Sequence, residues 1–289
     1  MKHAIFSWTI KILRAALIAC FLFILLLFLG QRFVYFRPTK MPDVPPAERI
    51  SARFFPRGMP VTDVDFHSAD GTRLNGMLLL SGDFVDENTI TVLFCHGNGG
   101  WLASEAPWVF FNYRPGPAAY AFFLFDYRAY GYSAGSWWSL TEATFYADAR
   151  AARKWLAEHV KKPETEVVLM GHSLGGAVAV ELAQDGTPAL VLCATFDSLP
   201  DVAAAHFPLL PVRMLVRDRF DSAAKIGSVS APLLMFHGKN DRTVPISCGE
   251  KLFAAANEPK RFIPLDCEHD DIPRGNVFRE IMQFLKMMR

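Results

Sequence analysis

The chain has 289 residues, 51% hydrophobic and 20% charged, with a formal net charge of +1. That length and apolar content suffice for a sizeable core, and an α/β chain of this size is commonly one domain. Near-neutral charge without a basic stripe argues against nucleic acid or a strongly acidic partner.

Residues 15–29, AALIACFLFILLLFL, are apolar without interruption, and Lys11 and Arg14 are the only charges back to Ala4. The run is short of the about 20 residues that cross a bilayer core. Lys11 and Arg14 can snorkel, however, and Phe33-Val34-Tyr35-Phe36 extends the far end as an aromatic interfacial belt. We read residues 1–37 as a membrane anchor with a span from about residue 9 to 30. A cleaved signal peptide is the alternative, although Phe28-Leu29-Gly30 is no small-x-small site. Leu17-Ile18-Ala19-Cys20 faintly resembles a lipidation box, yet the most apolar residues follow Cys20. Lys2, Lys11 and Arg14 balance Arg32, Arg37 and Lys40, so positive charge does not decide the orientation. An inside N-terminus is the commoner arrangement and puts the rest of the chain on the outer, periplasmic or extracytoplasmic, face.

Residues 38–60 carry Pro38, Pro42, Pro45, Pro46, Pro56 and Pro60 and read as an extended, semi-rigid tether. The folded domain is expected over 61–289. Val61-Thr62-Asp63-Val64-Asp65-Phe66 alternates as a strand does, Asp70-Gly71 turns the chain, and residues 73–80 return. From Ile90 onward short apolar runs alternate with helical stretches, as a parallel sheet requires. Thr91-Val92-Leu93-Phe94-Cys95 runs into His96-Gly97-Asn98-Gly99-Gly100, a loop whose backbone N–H groups can approach a substrate oxygen. The amides of Asn98 and Leu174 are the expected oxyanion donors, with the Asn98 side chain as a further one. A phosphate cradle is the weaker reading, because no Lys-Ser/Thr follows.

Residues 140–161 form the next expected helix, with Phe145, Ala149, Ala152 and Leu156 on one face. Then Val167-Val168-Leu169-Met170 leads into Gly171-His172-Ser173-Leu174-Gly175-Gly176 and an Ala/Val/Leu-rich helical stretch. A G-x-S-x-G between strand and helix is the pattern of a sharp turn that holds a serine nucleophile clear of the backbone. Its small neighbours let strand and helix close together, and the helix N-terminus favours a developing negative charge. The bland alternative is a glycine-rich turn with an idle serine.

Residues 199–230 interrupt the strand pattern. Phe207-Pro208-Leu209-Leu210-Pro211-Val212 and Met214-Leu215-Val216 suggest a small apolar cap; packing on the core is the other reading. Trp101, Trp108, Trp137 and Trp138 fall in loops at the same edge, where they line an acyl pocket, meet lipid heads or simply pack. Beyond Leu233-Leu234-Met235-Phe236, Asp241 lies in the loop His237-Gly238-Lys239-Asn240-Asp241-Arg242-Thr243-Val244-Pro245. His269 follows the strand Arg261-Phe262-Ile263-Pro264-Leu265. A serine hydroxyl needs a base, and a histidine base needs a carboxylate to fix its tautomer, so Ser173, His269 and Asp241 form the candidate triad. Asp241 alternatively builds an Asx-type turn, and Asp197 is a rival acid at a neighbouring strand end. Asp126 looks structural, and His96 and His237 suit packing or loop hydrogen bonds. Five cysteines, Cys20, Cys95, Cys193, Cys248 and Cys267, show no CxxC or metal spacing. Cys95 and Cys193 read as buried thiols and Cys267 as loop packing.

The set HGNGG, DYRAYGYSAGS, GHSLGG, HGKNDRTVP and EHD resembles the membrane-anchored α/β-hydrolases of the bud-emergence type, over roughly residues 60–289. These are relatives of the mammalian α/β-hydrolase-domain depalmitoylases and lysophospholipid lipases. The resemblance implies an α/β-hydrolase fold: a mostly parallel eight-stranded sheet, helices on both faces and a small cap. It also implies Ser173 as nucleophile, Asp241 as acid and His269 as base. Most relatives have Gly where Ala129 stands in the DYR-x-Y-G segment. The expected function is a membrane-tethered serine hydrolase of carboxylic esters or thioesters, acting on a small-molecule or lipid acyl substrate without metal or organic cofactor. A serine peptidase or aminopeptidase of the same fold is the alternative, and a non-catalytic membrane-bound scaffold the more distant one.

Overall fold

The computed structural model describes residues 2–42, 49, 60–108 and 115–287. After a long N-terminal helix, α1 (Lys2–Tyr35), the chain builds one eight-stranded sheet in the order β1-β2-β4-β3-β5-β6-β7-β8. Its strands are β1 (Val61–His67), β2 (Arg73–Leu80), β3 (Ile90–Cys95), β4 (Tyr120–Phe125), β5 (Val168–His172), β6 (Leu190–Cys193), β7 (Leu233–Gly238) and β8 (Lys260–Leu265). Only β2 runs antiparallel to its neighbours, β1 and β4; all other pairs are parallel.

Every residue of β3, β4, β5, β6 and β7 is buried. This is why these strands read as unbroken apolar runs rather than alternating ones: helices cover both faces. The pleat then sorts them. Leu93 and Cys95 face one core, with Phe145, Ala149, Ala152 and Leu156 of α2 (Glu142–Val160) and with α3 (Leu174–Ala183). Val92 and Phe94 face the other, with Phe278, Ile281 and Leu285 of α8 (Arg274–Met287). α2 starts at a capping box, in which the Thr141 hydroxyl accepts from the Thr144 amide and the Thr144 hydroxyl from the Thr141 amide. It stops where Lys161 turns left-handed at φ 56°. The remaining helices are α4 (Leu199–His206), α5 (Val212–Leu215), α6 (Ala223–Ile226) and α7 (Ile246–Ala255); α4 to α6 lie in the 199–230 insertion.

Within α1, Ile10–Phe33 is long and apolar enough to cross a membrane, a property that anchors and signal sequences share. At 1.5 Å per residue it measures about 36 Å, more than the ~30 Å of a bilayer core. Its last turn does not stand free. Arg32 pairs with Asp218 through Nε and Nη2 at 2.7 and 3.1 Å, and the Tyr35 hydroxyl donates to the same carboxylate at 2.8 Å. Gln31 donates to the Leu215 carbonyl and accepts from the Arg217 amide.

One expectation needs correction here. Phe36 is not part of an interfacial belt. It is 2% exposed and packs against Phe145 and Phe220, because its ring finds a closed apolar pocket one residue past the helix. Phe33 packs on Trp137 and Trp138. The stretch assigned to the start of the tether is also docked: Gly131 donates to the Thr39 carbonyl and accepts from the Met41 amide, at 2.7 and 2.8 Å. Pro45, Pro46 and Pro56 lie outside the described residues, as does the side chain of Trp108. Trp101 is buried against Tyr132, and Trp138 is exposed.

Candidate active site

The C-terminal ends of β3, β5, β7 and β8 carry the loops that meet at one edge of the sheet. Ser173 sits between β5 and α3 at φ 53°, ψ −120°, a conformation costly for a residue with a Cβ. Close packing imposes it. A Cβ on Gly175 would lie 2.0 Å from the Cys95 carbonyl oxygen, and one on Gly171 2.3 Å from that of Gly175. Two bonds fix the turn to the next strand: the Ser173 amide donates to Cys193 O at 2.8 Å, and Thr195 Oγ1 donates to Ser173 O at 2.8 Å.

The structure brings Ser173, His269 and Asp241 together in a line. Ser173 Oγ donates to His269 Nε2 at 3.0 Å, and His269 Nδ1 donates to Asp241 Oδ2 at 2.6 Å. A carboxylate can only accept, so its contact with Nδ1 sets the imidazole tautomer and leaves Nε2 free to accept from the serine. The three residues are 8%, 7% and 6% exposed.

Asp241 serves both uses weighed for it. Its Oδ1 accepts the amides of Thr243 and Val244, at 2.9 and 2.7 Å, which closes an Asx-type turn, while Oδ2 faces His269. Burial alone would raise its pKa. Hydrogen bonds from His237, His269 and the Val244 amide outweigh burial and hold it well below the usual carboxylate range.

The rival acid is elsewhere. Asp197 is buried with its carboxylate 3.8 Å from Lys251, and burial raises its pKa. Asp126 is fully buried and its pKa is pushed up to about 7 by that burial; it accepts the amides of Leu102 and Tyr132. His172 lies beside His269, with ring centroids 5.4 Å apart and the planes tilted by 32°. Burial depresses it to about 3, so it is neutral. His96 donates from Nδ1 to Gly97 O, and His237 from Nε2 to Val244 O.

The loop of residues 96–100 lies against the serine. A Cβ on Gly97 would come within 3.4 Å of Ser173 Cβ. Leu174 is the first residue of α3, where helix geometry gives the amide no intrahelical partner. The Asn98 side chain, expected as a further oxyanion donor, is engaged on the side of the chain leaving α1. Its Nδ2 donates to the Tyr35 carbonyl, and its Oδ1 accepts from the Arg37 amide and the Tyr130 hydroxyl, both at 3.1 Å. Its backbone amide remains the candidate.

Sequence reasoning missed the support beneath this edge. Arg128 is buried and holds Asp148 through Nη2 at 2.7 Å and Nε at 3.0 Å, and Asp70 through Nη1 at 2.7 Å. Arg in the DYRAYGYS segment was the available signal. Among the described residues, no three His, Cys, Asp or Glu side chains gather in a way that would hold a metal ion.

A mostly parallel eight-stranded sheet with a serine on a strained strand-to-helix turn defines the α/β-hydrolase class. The chain belongs to the Alpha/beta hydrolase family, whose pattern it matches over residues 92–273. It is 39% identical over 236 residues to an uncharacterized protein of Mycobacterium tuberculosis, covering 81% of this chain and 77% of that one. It is 29% identical over 231 residues to the protein bem46 of Schizosaccharomyces pombe, covering 77% and 75%. Among solved structures, the Pyrococcus furiosus esterase Pf2001 superposes with a TM-score of 0.61 over 88% of this chain and 98% of its own, at 17% identity, a likeness of fold alone.

Proposed function

We propose that this protein is a membrane-tethered serine hydrolase of carboxylic esters or thioesters. The observation that carries the reading is the hydrogen-bonded line from Ser173 Oγ through His269 to Asp241. Ser173 Oγ attacks the acyl carbon as His269 Nε2 takes its proton. Asp241, held ionised, stabilises the resulting imidazolium. The oxyanion rests on the amides of Leu174 and Asn98. His269 then passes the proton to the leaving alcohol or thiol, and a water activated by the same imidazole releases the acid.

An acyl-lipid or acylated protein is the substrate class we favour. The insertion over 199–230 leaves Leu209 96% and Met214 86% exposed, with Phe207 and Leu210 also outward. Its Leu215 and Arg217 touch Gln31 of α1. Apolar side chains turned outward beside an apolar span suit a lipid-borne acyl chain. We place the N-terminus inside and the catalytic domain on the outer face.

A fluorophosphonate probe is expected to label the wild type and not Ser173→Ala. Equal labelling of both would put the nucleophile elsewhere. Turnover of short- and long-chain p-nitrophenyl esters is expected to exceed that of an aminoacyl-amide, and a faster amide would reassign the enzyme as a peptidase. Leu209→Asp with Met214→Asp should slow hydrolysis of a vesicle-embedded ester and spare a soluble one. Equal rates on both substrates would remove the lipid reading.

A further inference from the structure

The loop of residues 96–100 contains Gly97, Gly99 and Gly100, which gives it wide backbone freedom. A Cβ on Gly99 would meet nothing within 4 Å, so the loop is open there rather than held by packing. An oxyanion donor works only when its N–H is fixed to within about 0.5 Å. Gly97 packs closely on His172 and Ser173, and Gly100 on Ser104, so it is the middle of the loop, at Asn98 and Gly99, that needs a further hold.

The flanks of the loop are pinned by the domain itself. His96 Nδ1 donates to Gly97 O at 2.7 Å, and Asp126 accepts the Leu102 amide at 2.7 Å. The middle is pinned by the chain leaving α1. Asn98 Nδ2 donates to the Tyr35 carbonyl, the Arg37 amide donates to Asn98 Oδ1, and Thr39 Oγ1 donates to Gly99 O at 2.9 Å. Tyr130 donates its hydroxyl to the same Asn98 Oδ1. The stretch that makes these contacts is itself rigid: Phe36 is buried in the core at one point and Thr39 is paired with Gly131 at another.

We propose that residues 35–39, the exit segment of the apolar helix, clamp the oxyanion loop, with the Asn98 side chain and Thr39 as positioning residues. Asn98 then has two separate duties. Its backbone N–H faces the oxyanion, and its side chain ties that N–H to the anchor. The proposal rests on the serine-hydrolase reading and adds to it that catalytic competence depends on how α1 ends.

The test uses the full chain in detergent micelles with a p-nitrophenyl ester and a trifluoromethyl ketone inhibitor, which forms an oxyanion-bearing adduct with the serine. Full removal of one oxyanion donor costs about 10²–10³ in kcat. Loosening one should cost on the order of ten-fold in kcat for Asn98→Ala, with KM little changed and inhibitor affinity reduced in the same proportion. Thr39→Val and Tyr130→Phe should each show a smaller loss of the same kind, and Thr39→Ser should recover it. Wild-type kcat and inhibitor affinity in all these variants would overturn the clamp while leaving fluorophosphonate labelling of Ser173, and so the hydrolase reading, intact. A loss confined to Asn98→Ala would also overturn it, since the side chain would then act on the oxyanion directly. So would a loss expressed in KM or in unfolding instead of kcat. Failure of the wild type to react with the fluorophosphonate would remove the hydrolase reading and the clamp together.

Discussion

Arg32, the last charged residue of the apolar helix, meets Asp218 of the cap region in two hydrogen bonds of 2.7 and 3.1 Å. Asp218 is buried and also accepts the Glu142 amide at the start of α2, so one carboxylate joins the helix, the cap and the domain. Asp218→Ala leaves the guanidinium and that amide without their partner. We expect a loss of about 2–3 kcal/mol, at or just below the about 3–5 kcal/mol of a fully buried pair because Arg32 keeps some solvent contact. Thermal unfolding and protease sensitivity near residue 40 measure it, and an unchanged melting temperature would contradict the account.

Asp241 and Asp197 are both buried carboxylates at strand ends, and only Asp241 reaches His269. Asp241→Asn offers the imidazole an amide in place of a carboxylate and should lower kcat by about 10³–10⁴-fold. Asp197→Asn should leave kcat within about two-fold, because its carboxylate faces Lys251. Steady-state kinetics of the two variants settle the acid, and the reverse pattern would exchange their roles.

His172 is buried and neutral, depressed to about 3. Unfolding restores it to about 6.5, so the unfolded chain binds the extra proton between those values. Stability from this group is therefore fully present above about pH 6.5 and falls as the pH drops toward 3. Asp126, raised to about 7 by burial, acts with the opposite sign: its contribution weakens as pH rises from about 4 to 7. The difference between wild type and His172→Asn isolates the histidine. The variant should lose less melting temperature than the wild type between pH 7.5 and pH 4.5 (about the interval in which the histidine charges on unfolding). Parallel curves would refute the assignment.

Ala129 lies at φ 65°, in the left-handed region, and is nearly fully buried. A Cβ costs about 1–2 kcal/mol there, part of which a glycine would give back as chain entropy. Ala129→Gly should thus stabilise the protein by up to about 1 kcal/mol, or about 2–4 °C in melting temperature. A lower melting temperature would mean that the methyl group packs better than the strain costs.

Much of the sheet was legible because its strands are short, apolar and separated by helices, a pattern set by burial on both faces. The residues of the candidate site were legible for a related reason: Ser173, Asp241 and His269 each follow a strand, and strands that end at one edge deliver their loops together. The same logic fails for contacts made by segments outside the sheet. Nothing in Phe33-Val34-Tyr35-Phe36 distinguishes rings facing lipid from a ring entering a protein core, since both environments reward the same side chains. Arg32 and Asp218 carry no local pattern at all, and their pairing across 186 residues depends on where the fold puts the cap. Ala129 was visible as a departure from the family's glycine, but only its backbone angle gives the reason.

Because the chain is fastened to the globular part as soon as it leaves the helix, the proposed enzyme has almost no leash. A flexible connector would let it sweep the area around its point of insertion and sample molecules well above the surface. In the proposed membrane-spanning arrangement the height and facing of the catalytic edge would be set by the helix itself, so encounters would be limited by how fast substrates drift sideways to a stationary mouth.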